Sequence, residues 1–420
     1  MQLPELFGML GGLLVLAYAA NRLFQWTRVP DVVVLMTAGV LIGPVLHLVN
    51  AGQFVGVTGP IGTLALILIL FGGGLELNIR EAVRHFPGGL LLGLLAYAGT
   101  TGVIGFLVSR SFSVPLSSGL LVGAVLGCTS ATIVLPILEQ WKVSQSVKVT
   151  LLVEASLGDV LGVLTVGLLL GLRTSSEGIA RTLLGGLLQE LGIALLVAAA
   201  AGFLWSRLLP RISAQSFWQV LTLAAVLLLY AGTEALHASG LLTVLGFGLV
   251  LANLPGPPEK LRQAIREESL ERDAPHLQIH QFHGELAFLV RTFFFVLMGV
   301  VVQVDGLESI WPVLPVLLAV IFLMRWAAVQ ASGWAWHGVS SRERETVLWV
   351  LPRGLITIVL ALEVSQVVGA EMAFLPDLAF AVILLTNIMV LVGGMRLLGV
   401  GQPAAPEEVM AETSDPFDGS

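Results

Sequence analysis

The sequence predicts an all-α polytopic membrane protein of about thirteen transmembrane helices, built as an inverted repeat with a discontinuous helix in each half. Three observations carry that expectation. Of 420 residues, 56% are hydrophobic and 12% are charged, about half the charge of an ordinary soluble domain, so water is not the solvent for most of the chain. Lys and Arg gather on alternate connections between apolar segments. The fifth and twelfth of those segments are interrupted in corresponding places.

A bilayer core about 30 Å thick takes roughly 20 apolar residues per helix. Breaks at charged, proline-rich or turn-forming clusters divide the chain into segments near 4–23, 31–49, 58–77, 86–109, 115–139, 147–172, 182–209, 216–236, 239–254, 283–303, 310–337, 344–366 and 374–398. The first has no positive residue before it and no small-residue cleavage site after it, so it reads as a span and not a signal peptide. Together they form one transmembrane domain, residues 1–400. Residues 401–420, with Glu407, Glu408, Glu412, Asp415 and Asp418, are expected to be a disordered tail. Cys128 is the only cysteine, which excludes a disulfide framework and a cysteine metal cluster.

Positive residues near span ends accumulate on the cytoplasmic side. The odd-numbered connections carry Arg22, Arg28, Arg80, Arg84, Lys142, Lys148, Arg207, Arg211, Lys260, Arg262, Arg266, Arg272, Arg342 and Arg344, and Arg396 ends the last span. The even-numbered side carries Arg110, Arg173 and Arg181. Fifteen against three places the N-terminus outside and the C-terminus in the cytoplasm, because one missed helix would scramble the alternation downstream. Arg291, Arg325 and Arg353 fall within spans. Arg291 is close enough to its span end to snorkel to the surface.

Thirteen spans divide as six, one linker and six, which makes the halves antiparallel in the membrane. Span five reads Gly127-Cys-Thr-Ser-Ala-Thr132 with Pro136 following, and span twelve reads Trp349-Val-Leu-Pro-Arg-Gly354-Leu-Ile-Thr357. Each break falls near mid-membrane, where unwound backbone must be buried in protein or line a cavity, its open carbonyls and half-helix dipoles able to act on an ion. The third spans correspond as well, through Phe71-Gly-Gly-Gly-Leu-Glu76 and Met298-Gly-Val-Val-Val-Gln-Val-Asp305. The plainer account is that these small residues let helices pack closely; symmetric placement weighs against it.

Span six contains Glu154-Ala-Ser-Leu-Gly-Asp159. Counting from Val147 at about 1.5 Å per residue puts Asp159 roughly 18 Å deep, near the midplane, where an ionisable group is costly and usually functional. Burial disfavours the bare carboxylate, so a proton and a cation would compete for it. A hard monovalent cation wants several oxygens, and Asp159, Ser156, Thr129 and opened carbonyls near Ser130 can supply them. The bland alternative for Asp159 is a structural hydrogen bond between helices. Glu154 is five residues earlier and faces about 140° away, so it has a different role, that of neutralising a buried arginine. Arg353 on span twelve is the candidate partner and Arg325 the rival.

Taken in order, Pro30-Asp-Val-Val-Val, Gly39-Val-Leu-Ile-Gly-Pro44, Leu70-Phe-Gly-Gly-Gly-Leu75, Thr129-Ser-Ala-Thr-Ile-Val134, the 154–159 segment, Phe293-Phe-Phe-Val-Leu-Met-Gly299 and Arg353-Gly354 make a set fairly specific as a whole. Over nearly its full length the chain resembles the cation:proton antiporter superfamily, the sodium/proton exchanger-like proteins with a two-fold inverted repeat. The resemblance implies two crossed discontinuous helices in a mobile core that slides against a dimerisation domain. It implies exchange of protons for Na+ or K+ across a plasma membrane, no enzymatic activity and a homodimer in the lipid bilayer. Asp159 would be the ion and proton carrier, Thr129 a ligand, and Glu154 with Arg353 a structural ion pair. The chain departs from the family pattern at Gly158, where relatives carry Asn or a second Asp, at Ala155, where many carry Ser, and at Gly72, where some carry an acid. With no aspartate beside Asp159, one-for-one electroneutral exchange is favoured. Glu76, one turn after Gly72, reads equally well as an interfacial carboxylate.

An intramembrane aspartyl protease would need two carboxylates sharing a proton, and Asp31, Asp305 and Asp377 sit at span ends. A channel or a proton-coupled carrier of an organic solute is the better rival. The connection 255–282 mixes acids and bases with His276 and His280, and His283 follows; it is expected to be a solvated cytoplasmic helix, with pH sensing as the alternative. No phosphate-cradling loop or metal motif is present, and neither a cofactor nor a nucleic-acid partner is expected.

Overall fold

A computed structural model describes residues 3–27, 29–49, 55–76, 79–141, 143–174, 179–212, 217–236, 238–253, 275–302, 310–333 and 340–398. They are helical almost throughout, with no strand among them. The elements are α1 (Leu3–Thr27), α2 (Asp31–Val40), α3 (Val55–Glu76), α4 (Ile79–Ser111), α5 (Leu116–Gly127), α6 (Ala131–Gln140), α7 (Gln145–Thr174), α8 (Ile179–Ile212), α9 (Trp218–Ala235), α10 (Gly240–Asn253), α11 (Pro275–Val301), α12 (Leu314–Ser332), α13 (Ser341–Trp349), α14 (Leu355–Val368) and α15 (Leu375–Leu398). Each of the thirteen predicted spans meets one helix or one pair of half-helices. Among the described residues nine helices are long and apolar enough to cross a membrane, with shorter apolar helices at Asp31–Val45, Leu116–Gly127 and Gly240–Asn253.

Local sequence explains the starts and stops. Pro30 and Pro115 immediately precede α2 and α5, where a missing N–H is harmless. Pro44 sits within a π-helical turn, Leu41–Val45, whose widened spiral accommodates a ring that would clash in a regular helix. Gly369 ends α14 with φ 78°, a conformation open chiefly to glycine. Two helices begin well before their expected limits, α4 at Ile79 and α11 at Pro275. Amphipathic sequence before each apolar core continues the helix, and Pro275 occupies a first position that suits proline.

The repeat is visible in two glycine crossings. Where α2 meets α11, a Cβ on Gly39 would collide with the Val296 carbonyl and one on Gly299 with the Met36 carbonyl. Where α3 meets α10, a Cβ on Gly74 would collide with the Leu245 carbonyl and one on Gly248 would lie 2.5 Å from the Phe71 carbonyl. Gly39 and Gly248 are each the ninth residue of their helix, and Gly74 and Gly299 each stand two from a helix end. The second and third spans of one half therefore make the contact that the third and second spans of the other half make. Only glycine lets backbones approach this closely.

Around the crossings the helices sort into two packed groups. One joins α4, α5, α7, α12 and the broken pairs; the other joins α3, α8, α9 and α10 around Phe71, Phe247 and Trp218. His283 belongs to the second core. It is buried, with its ring 4.9 Å from that of Phe71 and 5.3 Å from that of Phe282, so it is not part of a solvated loop. Glu76 closes α3 and its side chain lies outside the described residues, as do those of His276 and His280 and residues 401–420.

Candidate functional site: the crossing of two broken helices

Span five breaks between α5 and α6, at Cys128 to Ser130, with Cys128 extended (φ −71°, ψ 130°). Span twelve breaks between α13 and α14, at 350–354. The two extended stretches meet directly, since the Ser130 N–H donates to the Pro352 carbonyl at 2.9 Å. Gly354 is required there, because any Cβ would overlap the Ser130 side chain. Two half-helix N-termini, those of α6 and α14, and two C-termini, those of α5 and α13, converge on this point. Partial charges of both signs thus face the centre of the bundle.

Side chains of neighbouring helices answer several backbone groups of the second break. The Arg353 N–H donates to Thr386 Oγ1 at 3.1 Å, and Asn387 Nδ2 donates to the Arg353 carbonyl at 3.0 Å. Both partners lie on α15. At the end of α13, Arg325 of α12 donates from Nε and Nη2 to the Val347 carbonyl (3.1 and 3.0 Å) and from Nη2 to that of Val350 (2.8 Å). The guanidinium thereby fills the role of the missing next turn, and its charge complements the negative helix end.

The same Arg325 pairs with Glu154, Nη1 to Oε1, at 2.9 Å, both side chains 3% exposed. This corrects the expected pair with Arg353. Glu154, on the unbroken α7, meets the guanidinium that caps the end of α13, while Arg353 lies in the break after α13 and donates from Nη1 to Thr129 Oγ1 at 2.9 Å. Arg291 is corrected too: it does not snorkel but pairs with Asp31 at 2.6 Å, tying α11 to the start of α2.

Asp159 is buried on α7 beside the first break. Its carboxylate faces the peptide N–H of Ala131, the first residue of α6, and Oδ1 has no hydrogen-bond partner. Glycine brings α7 close: a Cβ at Gly158 would touch Thr129 N at 3.4 Å, and one at Gly162 would collide with Cys128 Sγ. Of the expected site residues, Thr129, Ser130 and Asp159 come together at the crossing. Ser156 is half-buried one turn before Asp159 on the same helix. The Ser130 carbonyl is occupied as the first acceptor of α6, receiving Ile133 N (3.3 Å) and Val134 N (3.0 Å). Sequence reasoning missed the capping role of Arg325 and the service of Thr386 and Asn387. Two adjacent polar residues in an otherwise apolar last span were the available signal.

Asn387 stands to the second break as Asp159 stands to the first. One half thus offers an amide whose Nδ2 satisfies backbone, the other a carboxylate, and each leaves its Oδ1 without a partner.

The chain has relatives among known transporters. It is 28% identical over 356 residues to the K(+)/H(+) antiporter NhaP2 of Shewanella sp. (strain MR-4), across 82% of this chain and 58% of that protein, so it spans less than two thirds of that relative's length. It is 26% identical over 340 residues to the Na(+)/H(+) antiporter 1 of Methanocaldococcus jannaschii, across 77% of this chain and 75% of the other. Solved structures of the sodium proton antiporter MjNhaP1 from Methanocaldococcus jannaschii superpose with a TM-score of 0.74, at 24% identity over 94% of this chain and 96% of that one, and at 25% over 96% and 100%. The fold is that of these antiporters. The family model described as sodium/hydrogen exchanger, transmembrane, matches residues 12–398, and the chain belongs to that family.

Proposed function

We propose that this integral multi-pass membrane protein exchanges protons for Na+ or K+, one for one, with Asp159 carrying either ion in turn. The observation that carries the reading is the Asp159 carboxylate itself, 3% exposed at the crossing of two broken helices with Oδ1 unpartnered. A bare charge at such depth is costly, so the carboxylate holds a proton or a cation and moves with one of them. Glu154 and Arg325 neutralise each other nearby and leave Asp159 as the variable charge. Thr129 and Ser156 stand as candidate oxygen ligands beside it; at Ser130 the side chain is the remaining candidate, its carbonyl being engaged. Relatives named as K(+)/H(+) and Na(+)/H(+) antiporters support the ion pair chosen.

In this reading the group holding the broken helices slides against the group around α3, α8 and α10, opening Asp159 to one side and then the other, in the service of pH and cation balance. The N-terminus lies outside and the C-terminus in the cytoplasm, in a plasma membrane. Exposed apolar side chains such as Leu196 and Phe203 on α8 fit a lipid bilayer, and the resemblance adds a homodimer.

The test is proton flux in proteoliposomes carrying a pH dye, with Na+, K+ or Li+ added outside, with and without a potential clamp. Cation-driven flux abolished in Asp159→Asn and insensitive to the clamp is the expected result. Undiminished flux in the variant would remove Asp159 from the mechanism, and no flux with any cation would turn the assignment toward an organic solute.

A further inference from the structure

We infer that Thr357 of α14 supplies an oxygen ligand to the transported cation, opposite Asp159; this rests on the proposed exchange at Asp159. Two neighbours of Thr357 fix where it sits. Three residues earlier, Gly354 is packed on Ser130 so closely that a Cβ would overlap its side chain. Three residues later, Leu360 Cδ1 lies 3.3 Å from where a Cβ on Gly162 of α7 would be. On a helix, positions three apart differ by about 60°, so Thr357 points between these contacts.

The levels agree. By the span order, α7 and α14 both run outward, and Asp159 and Thr357 each stand three residues, about 4.5 Å, before the matched pair Gly162 and Leu360. Thr357 is 1% exposed, and its Oγ1 has no hydrogen-bond partner. A threonine inside a helix ordinarily donates to the carbonyl four residues back. Here that carbonyl belongs to Arg353 in the unwound break and accepts instead from Asn387. The hydroxyl does not make that local bond, and at its level α7 carries a carboxylate oxygen, Asp159 Oδ1, that also lacks a partner. Two buried unpaired oxygens from different half-sites fit a small hard cation, which draws its ligands from hydroxyl and carboxylate oxygens. The position equivalent to Thr357 in the other half, two residues into its helix, is Ile133, so only one face of the crossing is equipped.

The experiment compares wild type, Thr357→Val, Thr357→Ser and Asp159→Asn by cation-driven proton flux in proteoliposomes, with Na+, K+ and Li+ titrated separately. Loss of one oxygen ligand in Thr357→Val is expected to raise the apparent cation KM by about tenfold and to change the ratio among the three ions, while Thr357→Ser stays near wild type. The same variants are read in detergent by the rise in Tm that each cation produces, which separates lost binding from loose folding. Wild-type KM, ion preference and cation-induced Tm rise in Thr357→Val, with Asp159→Asn inactive, would overturn the inference. So would a Thr357→Ser as impaired as the valine variant, because the methyl would then be what matters. Unchanged flux in Asp159→Asn would instead sink the exchange site on which the inference stands.

Discussion

The guanidinium of Arg325 answers two needs at once, the open carbonyls ending α13 and the buried carboxylate of Glu154. Removing one member of a buried ion pair leaves an uncompensated charge and typically costs about 3–5 kcal/mol. Glu154→Ala and Arg325→Ala are each expected to destabilise by that order, and the double variant by clearly less than their sum. The same cycle between Glu154 and Arg353 is expected to show the smaller coupling, since Arg353 spends its donor on Thr129. Thermal unfolding in detergent reads both cycles, and equal couplings would contradict the pairing described. Sequence alone marked Asp159, Glu154 and two arginines, because charge deep in an apolar segment is conspicuous. It did not choose between Arg325 and Arg353, because the choice turns on where α13 stops and on which carbonyls that leaves open.

Helix ends and helix crossings put other physics in control. The glycine runs of the third spans were visible as a pattern, yet their partners on α2 and α10 were not, since glycine carries no side chain to advertise what it touches. Backbone sits where a Cβ would go at Gly39 and Gly248. Overpacking such contacts costs about 1–3 kcal/mol, so Gly39→Ala and Gly248→Ala are expected to lower Tm by similar amounts, as repeat equivalents should. Gly102 of α4, with nothing within 4 Å of a Cβ, is the control: alanine there is expected to leave Tm unchanged or raise it. At the start of α13, before the limit predicted for its span, Ser340 and Glu343 form a reciprocal cap, and Ser340→Ala is expected to cost about 1 kcal/mol. Donation from the Ser144 hydroxyl, then from the backbone and hydroxyl of Ser340, holds the Glu343 carboxyl below its ordinary value. A carboxylate shifted down on folding stabilises above its unfolded pKa, about 4.3, and loses that contribution as pH falls through the lowered folded value. The Tm difference between wild type and Glu343→Gln should therefore be present at pH 7 and vanish at acid pH. A difference unchanged across that range would assign the effect to packing.

Across the whole molecule, the alternation of positive charge in the sequence and the ion pairs in the structure sort the helix ends the same way. Arg173, Glu371 and Ser118, from the end of α7, the turn after α14 and the start of α5, meet in one cluster, and all three stand at ends that face even-numbered connections. Arg396 with Glu345, Arg342 with the Leu397 carbonyl, and Ser144 with Glu343 join ends that all belong to the odd-numbered side. Span count and the alternation of faces were thus legible, because composition and loop charge are properties of the chain itself. The crossing geometry was not, because it depends on how two halves dock. What remains is which face is which, and the charge rule makes the odd side cytoplasmic. Cys128 is buried and is the only cysteine, so replacing it with alanine gives a cysteine-free background at one position. In that background Ser113→Cys, on the exposed turn between α4 and α5, is expected to react with a membrane-impermeant maleimide on intact cells. Ser341→Cys, exposed at the start of α13, is expected to react only after the membrane is opened. The reverse pattern would invert the whole assignment, turning the face of the acidic tail outward; labelling of both on intact cells would break the alternation on which the span count rests.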